Sequence, residues 1–409
     1  MSEPSLFAAF RGERFADPGT LGRRLAPPYD VITPEQRASL AAQDPHNIVH
    51  LDLPWAVAGD RYHEAARLLA DWRTHGQIVR DGGPMAYVLR TSGRFPDGSE
   101  RQRTGAFLAV AAEPFSRGRV RPHERTHAGP KEDRRRLTHA TGCNLSPVFL
   151  LAPDSSGALE VALRDVAARE PWARCVALGS EHAVWVVAGE PARRIAEAAS
   201  AEPVYVADGH HRFETAVMLR EEVPQAWRAG ASRTLSHVVS FHDPGLEILP
   251  THRLVAGSPQ QPAAFLEAAS TFFVEVPDGA DWTLVAAFAD GRAIRLGMRP
   301  GADLSTVRDL PAHPAVRALA VTMADGVAVG VVAASLLGRV PELRYTADDR
   351  EAREAARHGS CAFALLLPAT RLEDVRRVAD AGQIMPPKST YFAPKVPTGI
   401  VLRPLDAPV

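Results

Sequence analysis

Cysteine is scarce in this 409-residue chain, and the three that occur do not pair up. Cys143, Cys175 and Cys361 are odd in number, and none stands in a Cys-x-x-Cys spacing. That pattern disfavours both a disulfide framework and a thiolate zinc site. An excess of one charge is missing too, with 47 Lys and Arg against 48 Asp and Glu, a formal net charge of -1. Affinity that comes from neutralising nucleic-acid phosphates normally needs a positive surplus, so nucleic acid is not an expected partner. Met1 to Phe15 lacks the apolar core behind a basic segment that marks a secretory leader. No stretch reaches the roughly 20 apolar residues of a membrane span. The nearest, Ala315 to Leu337, is interrupted at Met323-Ala324-Asp325-Gly326. The expectation is a cytoplasmic protein with no membrane partner. Phosphate-loop, nucleophile-elbow and H-E-x-x-H patterns are missing, there is no convincing G-x-G-x-x-G, and no internal repeat is visible.

What remains is an ordinary globular composition, 45% hydrophobic and 23% charged, long enough for two or three lobes. Ala26-Pro27-Pro28-Tyr29-Asp30-Val31-Ile32 should be extended, because proline excludes helix at the residue before it. A helix is expected after Thr33 with Pro34 at its first position, and another over Asp60 to His75, where Ala65, Leu68, Leu69 and Trp72 fall at helical spacing. Ala86 to Leu89 and Thr104 to Val110 flank Phe95-Pro96-Asp97-Gly98 and read as a hairpin; Thr283 to Ala287 and Ala293 to Gly297 read as a second one. Hairpins mixed with helices argue for an α+β fold rather than a doubly wound parallel sheet. A boundary is expected at Gly257-Ser258-Pro259, dividing a core over 1–256 from a C-terminal α+β lobe over 257–409 that returns to the core through 386–402.

The richest segment runs from Val204 to Arg220. A buried strand ends at Asp208, Gly209 turns, and a helix begins at His210-His211. The unpaired N–H groups and dipole of a helix start attract anions, a glycine lets the backbone come close to them, and Arg212 has the fork for phosphate oxygens. Asp208 is placed either to hold Mg²⁺ or to accept a proton. The plainer alternative is an Asp cap followed by a surface His-His-Arg run.

A second segment, Arg121-Pro122-His123-Glu124-Arg125-Thr126-His127 and then Pro130-Lys131-Glu132-Asp133-Arg134, is dense in ionisable groups and poor in apolar ones. It reads as a loop outside the core, either a solvated one or a site in which Glu124 is the best general base. Its Pro122 and Gly129 argue against the helix that would let His123 and His127 share a metal. Asn144-Leu145-Ser146-Pro147 offers polar groups before a strand, His252-Arg253 offers further phosphate contacts, and Lys395 a further cation.

Pro27-Pro28-Tyr29-Asp30, His123-Glu124-Arg125-Thr126, Asn144-Leu145-Ser146-Pro147, Asp208-Gly209-His210-His211-Arg212-Phe213-Glu214-Thr215, Pro250-Thr251-His252-Arg253 and Ser389 to Lys395 occur in that order. Together they resemble domain-of-unknown-function family 1015 over nearly the whole chain. More distantly, Asp208 to Arg212 resembles the nucleotide-phosphate motif of the ParB/sulfiredoxin-like fold, which includes CTP-binding partition proteins, sulfiredoxin and kinases of free serine. That resemblance implies a ParB/sulfiredoxin-like lobe within a larger mixed chain. Its expected ligands are ATP or ADP with Mg²⁺, and a small hydroxylated substrate, free L-serine first; a homodimer is a further candidate assembly. In those terms Glu124, with His123, supplies the base, and Asp208 is a metal-binding or orienting acid. Gly209, His210, His211, Arg212 and Thr215, helped by Lys131, His252 and Arg253, hold the phosphates. The same parts also suit a ParB-like nucleotide-binding regulator or a phosphate-ester hydrolase.

Overall fold

The computed structural model describes residues 4–55, 59–94, 98–126 and 128–407. The chain forms two units, one of Met1–Pro122, Thr126–Leu246 and Pro394–Val409, the other of His123–Arg125 and Glu247–Ala393. Both are α+β with antiparallel hairpins.

The first unit is built on a nine-stranded sheet. Its order in space is Val120–Arg121, Val204–Asp208, Val148–Ala152, Arg233–Ser240, Glu100–Ala111, Met85–Arg94, Ser180–Ala188 and Ala173–Ala177, with Phe7–Ala8 also against Glu100–Ala111. Two neighbours are parallel, 204–208 with 120–121 and 233–240 with 148–152; the other pairs are antiparallel. Alternation along the strands puts Val204, Val206, Val148, Leu150, Val238, Ala106 and Leu108 in one core, beneath the helices Ala158–Ala167 and Gly189–Ala199. Each large side chain buried there contributes roughly 1.5–3 kcal/mol. Three more helices, Arg61–Thr74, Ala128–Thr141 and His210–Glu222, pack in succession.

The expected helix after Thr33 is Pro34–Gln43, fixed by a capping box between Thr33 and Gln36. The Asp60 carboxylate caps the helix Arg61–Thr74. The first hairpin pairs as expected from Tyr87 opposite Phe107 to Arg94 opposite Glu100, while Phe95, Pro96 and Asp97 lie outside the described residues.

Three expectations need correction. The Pro-Pro segment is extended only through Pro28; Tyr29–Val31 is a single 3-10 turn, since proline restricts the residue before it and not those after. The charged segment is not all loop outside the core. Ala128–Thr141 is helical, and His123 and Arg134 are buried, because ion pairs and hydrogen bonds supply what apolar character does not. Finally, Asp325-Gly326 does not interrupt the helix at 320–337, which passes through them in a wider, π-helical winding. Among the described residues it is the one helix long and apolar enough to cross a membrane, and half of it is buried inside the protein.

The second unit has a six-stranded antiparallel sheet in the order Phe273–Glu275, Ala293–Met298, Leu284–Ala287, Phe363–Leu366, His252–Val255 and Leu343–Thr346. One of its faces packs on the 320–337 helix through Val327, Ala328 and Val332.

Within the first unit the end of the chain is bound in by Arg403. Its fully buried guanidinium donates to the Gly230 carbonyl at 2.6 Å, the Arg233 carbonyl at 2.9 Å and Asn144 Oδ1 at 3.1 Å. The approach is possible because Gly230 has no side chain: a Cβ there would collide with the Leu405 carbonyl. Gly230→Ala should therefore lower the unfolding free energy by about 1–3 kcal/mol, read from urea denaturation, whereas Gly129→Ala, which faces open space, should not.

Candidate functional site

The strand Val204–Asp208 slips register against 148–152 between Val206 and Asp208, a bulge that ends the ladder. Gly209 follows at φ 89°, a left-handed conformation that side chains resist, and the helix His210–Glu222 starts directly after it. No side chain caps this helix start, so Asp208 is not the cap of the plainer reading. It is occupied elsewhere. Arg212 folds back over the turn, with Nε 2.9 Å from where a Gly209 Cβ would stand, and donates to Asp208 Oδ2 at 2.9 Å and to the Pro147 carbonyl. Lys395 Nζ lies 3.5 Å from Asp208 Oδ1. Burial works to raise the Asp208 pKa, but Lys395, Arg212 and His210 outweigh it and hold the group at about 2.

Behind this pair stands Arg134, on the helix Ala128–Thr141. Its guanidinium donates to Asp52 Oδ1 at 3.0 Å and the Asp52 carbonyl at 2.8 Å, pairs with Asp133 at 2.5 Å, and covers the Tyr29 ring at 3.9 Å. Ser146 donates to the same Asp52 oxygen at 2.5 Å. Burial pushes the Tyr29 hydroxyl up to about 12 against the fields of Arg212 and Arg134, so it stays protonated. The adjacent Asp30 is raised, first by desolvation and then by Asp208, with Arg212 and Lys395 opposing. Asp52, Arg134, Asn144, Ser146, Arg212 and Thr215 line a cavity of about 40 Å³, and Asp52 Oδ2 has no hydrogen-bond partner among the described residues. Such a volume admits a few heavy atoms and not a whole nucleotide, which needs several hundred Å³.

Among the residues expected in the site, the first unit brings together Asp208, Gly209, His210, His211 and Arg212, with Thr215 one turn further on and Lys395 alongside. Thr215 is buried, its hydroxyl on the Lys131 carbonyl, while Lys131 Nζ binds Glu214 at 2.9 Å, which also takes the Thr126 hydroxyl at 2.6 Å. Lys131 is therefore joined to the 210–222 helix. His123 and Glu124 belong to the second unit, where His123 Nε2 meets the Thr390 hydroxyl at 3.0 Å. His252 and Arg253 belong there as well. Arg253 is fully buried against Asp325 at 2.9 Å and the carbonyls of Pro387 and Lys388, and His252 Nδ1 accepts from the Leu367 N–H. Arg253, expected to contact phosphate, is spent inside its own unit, whereas His252 Nε2 has no hydrogen-bond partner among the described residues.

As arranged, Asp208 does not suit the Mg²⁺ expected from the resemblance, because each of its oxygens already faces a cation. Among the described residues no three His, Cys, Asp or Glu side chains group as metal ligands, and His127 lies outside the described residues. Reasoning from sequence missed Tyr29, Asp30, Asp52 and Arg134. The Pro-Pro-Tyr-Asp motif was the available signal for the first two.

The model of a family described as "Protein of unknown function (DUF1015)" matches residues 7–323. No curated protein matches the sequence. Among solved structures the chain is similar to a free serine kinase variant in complex with AMP, at 12% identity and TM-score 0.38, covering 72% of this chain and 92% of that one. It is also similar to a conserved hypothetical protein from Pyrococcus furiosus (14%, TM-score 0.37, 73% and 96%). A third is C-terminally truncated SbnI from Staphylococcus aureus (9%, TM-score 0.37, 72% and 85%).

Two outcomes follow from the charge network. Arg134→Met leaves the Asp52 carboxylate buried without its cation and should cost about 3–5 kcal/mol in denaturant unfolding, a loss that Asp52→Asn in the same chain partly restores. Asp208 is depressed in the folded state, so its contribution is complete above about pH 4 and fades as pH falls toward 2. A stability–pH titration should show that acid slope in the wild type and a shallower one in Asp208→Asn.

Proposed function

This chain belongs to the DUF1015 family, and from that premise we propose that it is a nucleotide-dependent phosphotransferase acting on a small hydroxylated metabolite, with free L-serine the first acceptor to try. The observation that carries the reading is the start of the 210–222 helix, which leaves a left-handed glycine with no side-chain cap and has Arg212 and Lys395 beside it. A helix dipole and two cations beside a glycine turn are what a terminal phosphate requires. Transfer in line depends on positioning and charge neutralisation more than on covalent chemistry by the protein. In this reading Asp208 keeps both cations aimed at the turn, and the phosphate of ATP or ADP takes over part of their attention when it binds. Mg²⁺ is given no step here. The acceptor hydroxyl needs a proton acceptor, and the motif resemblance offers Glu124 for the part.

Purified protein incubated with Mg²⁺ and ATP or ADP should yield a phosphorylated small alcohol in stoichiometric balance with the nucleotide consumed, resolved by mass spectrometry. Free phosphate in its place would turn the reading toward hydrolysis. Lys395→Met should weaken nucleotide binding about tenfold by calorimetry, the loss of one charge-assisted contact. A chain that binds neither nucleotide has no such activity.

A further inference from the structure

We propose that the cavity beside Arg212 receives the primary ammonium group of the acceptor, with Asp52 as its counter-charge. The inference rests on the phosphotransferase reading and names the acceptor class: a small amino alcohol or hydroxy amino acid. An acceptor has to lie beside the terminal phosphate. The cavity shares Arg212 with the Gly209 turn, and Thr215, Ala216 and Leu219 of the same helix continue its wall. Its volume of about 40 Å³ holds about three water-sized groups, enough for an ammonium and the carbon that bears it.

The wall is suited to a hydrogen-bond donor. Asp52 is 2% exposed and is the one acidic residue that lines the cavity among the described residues. Its Oδ1 accepts from Arg134 at 3.0 Å and from Ser146 at 2.5 Å. Its Oδ2 is buried and has no hydrogen-bond partner among the described residues. The two guanidiniums in the wall are also drawn elsewhere, Arg134 to Asp133 at 2.5 Å and Arg212 to Asp208 at 2.9 Å. A buried carboxylate oxygen left without a donor is costly, so the site favours whatever brings one. A divalent cation is poorly served, because no second carboxylate, histidine or cysteine among the described residues lines the cavity. An anion would lie against Asp52 and be repelled. A primary ammonium is a compact charge with three donors: Oδ2 takes one, and the hydroxyls of Thr138 and Thr234 belong to the same wall.

Calorimetry on the full chain compares L-serine and ethanolamine, which have a primary ammonium, with 3-hydroxypropionate, which is serine without it. The wild type should bind serine about tenfold to a hundredfold more tightly than 3-hydroxypropionate, the difference of one charge-assisted hydrogen bond. Asp52→Asn should bring serine to within about twofold of 3-hydroxypropionate, weaken ethanolamine by a similar factor, and leave 3-hydroxypropionate unchanged. The substitution keeps the side-chain shape, and Arg134 retains Asp133 and the main-chain carbonyl of residue 52. The wild-type comparison needs no variant and decides by itself. Equal affinity for serine and 3-hydroxypropionate overturns the proposal, as does the absence of heat with either amine, the mark of a cavity filled by water alone. So does serine binding that Asp52→Asn leaves intact in a folded chain. Phosphate transfer to 3-hydroxypropionate at the rate seen with serine overturns the ammonium subsite and leaves the phosphotransferase reading standing. Asp52-dependent amine binding in a chain that transfers no phosphate overturns the reading and leaves the subsite.

Discussion

The contact on which the candidate site depends is the carboxylate of Asp208 held between Arg212 and Lys395. It joins the end of a sheet strand, the first turn of a helix and a segment near the C-terminus, 187 positions further along the chain. Burying one carboxylate alone would cost several kcal/mol, and burying two cations alone would cost more. Together they are tolerated because each answers the other. The same pairing explains why residue 209 must be glycine on two counts, its left-handed backbone and the Arg212 guanidinium lying where a Cβ would go.

Arg134 extends that logic outward. It is tied to Asp52, Asp133 and the Tyr29 ring at once, so the helix Ala128–Thr141, the short helix Val49–Asp52 and the turn at Tyr29–Val31 are held to a common point. Buried ion pairs of this kind are poor sources of net stability against a hydrophobic replacement. Their effect is directional: a planar guanidinium with fixed donors sets the orientation of what it binds. The Tyr29–Asp30 turn is short, lacks an apolar anchor of its own beyond the tyrosine ring, and gets its orientation from this cation.

Local signals carried the elements and the turn, while long-range charge pairing stayed hidden. Thr33-Pro34 with Gln36 is a cap readable in four residues, and Asp208-Gly209 followed by a helical run marks the strand, turn and helix start. The 128–141 helix was illegible because its buried face is carried by Arg134 and Leu137 and not by a stripe of apolar residues, so hydrophobic periodicity had nothing to register. The role of Arg253 was equally hidden, since its partner Asp325 lies 72 positions away inside a run that looked like an interruption.

The two cations around Asp208 are not equivalent, and the difference bears on how an anion would enter. Arg212 makes a charge-assisted hydrogen bond at 2.9 Å, adds a second to the Pro147 carbonyl, and is nearly fully buried. Lys395 stands at 3.5 Å, beyond good hydrogen-bond range, so its tie to Asp208 is mainly Coulombic. At an effective dielectric of about 20, a unit pair at that distance interacts by roughly 4–5 kcal/mol, and an incoming phosphate of higher charge competes for it directly. The lysine has the more flexible stem. Arg212 would have to abandon a carbonyl that then stays buried and unpaired, at a cost of about 1–3 kcal/mol. Of the two cations, Arg212 is the one held to Asp208 by a hydrogen bond, and it fixes the shape of the turn.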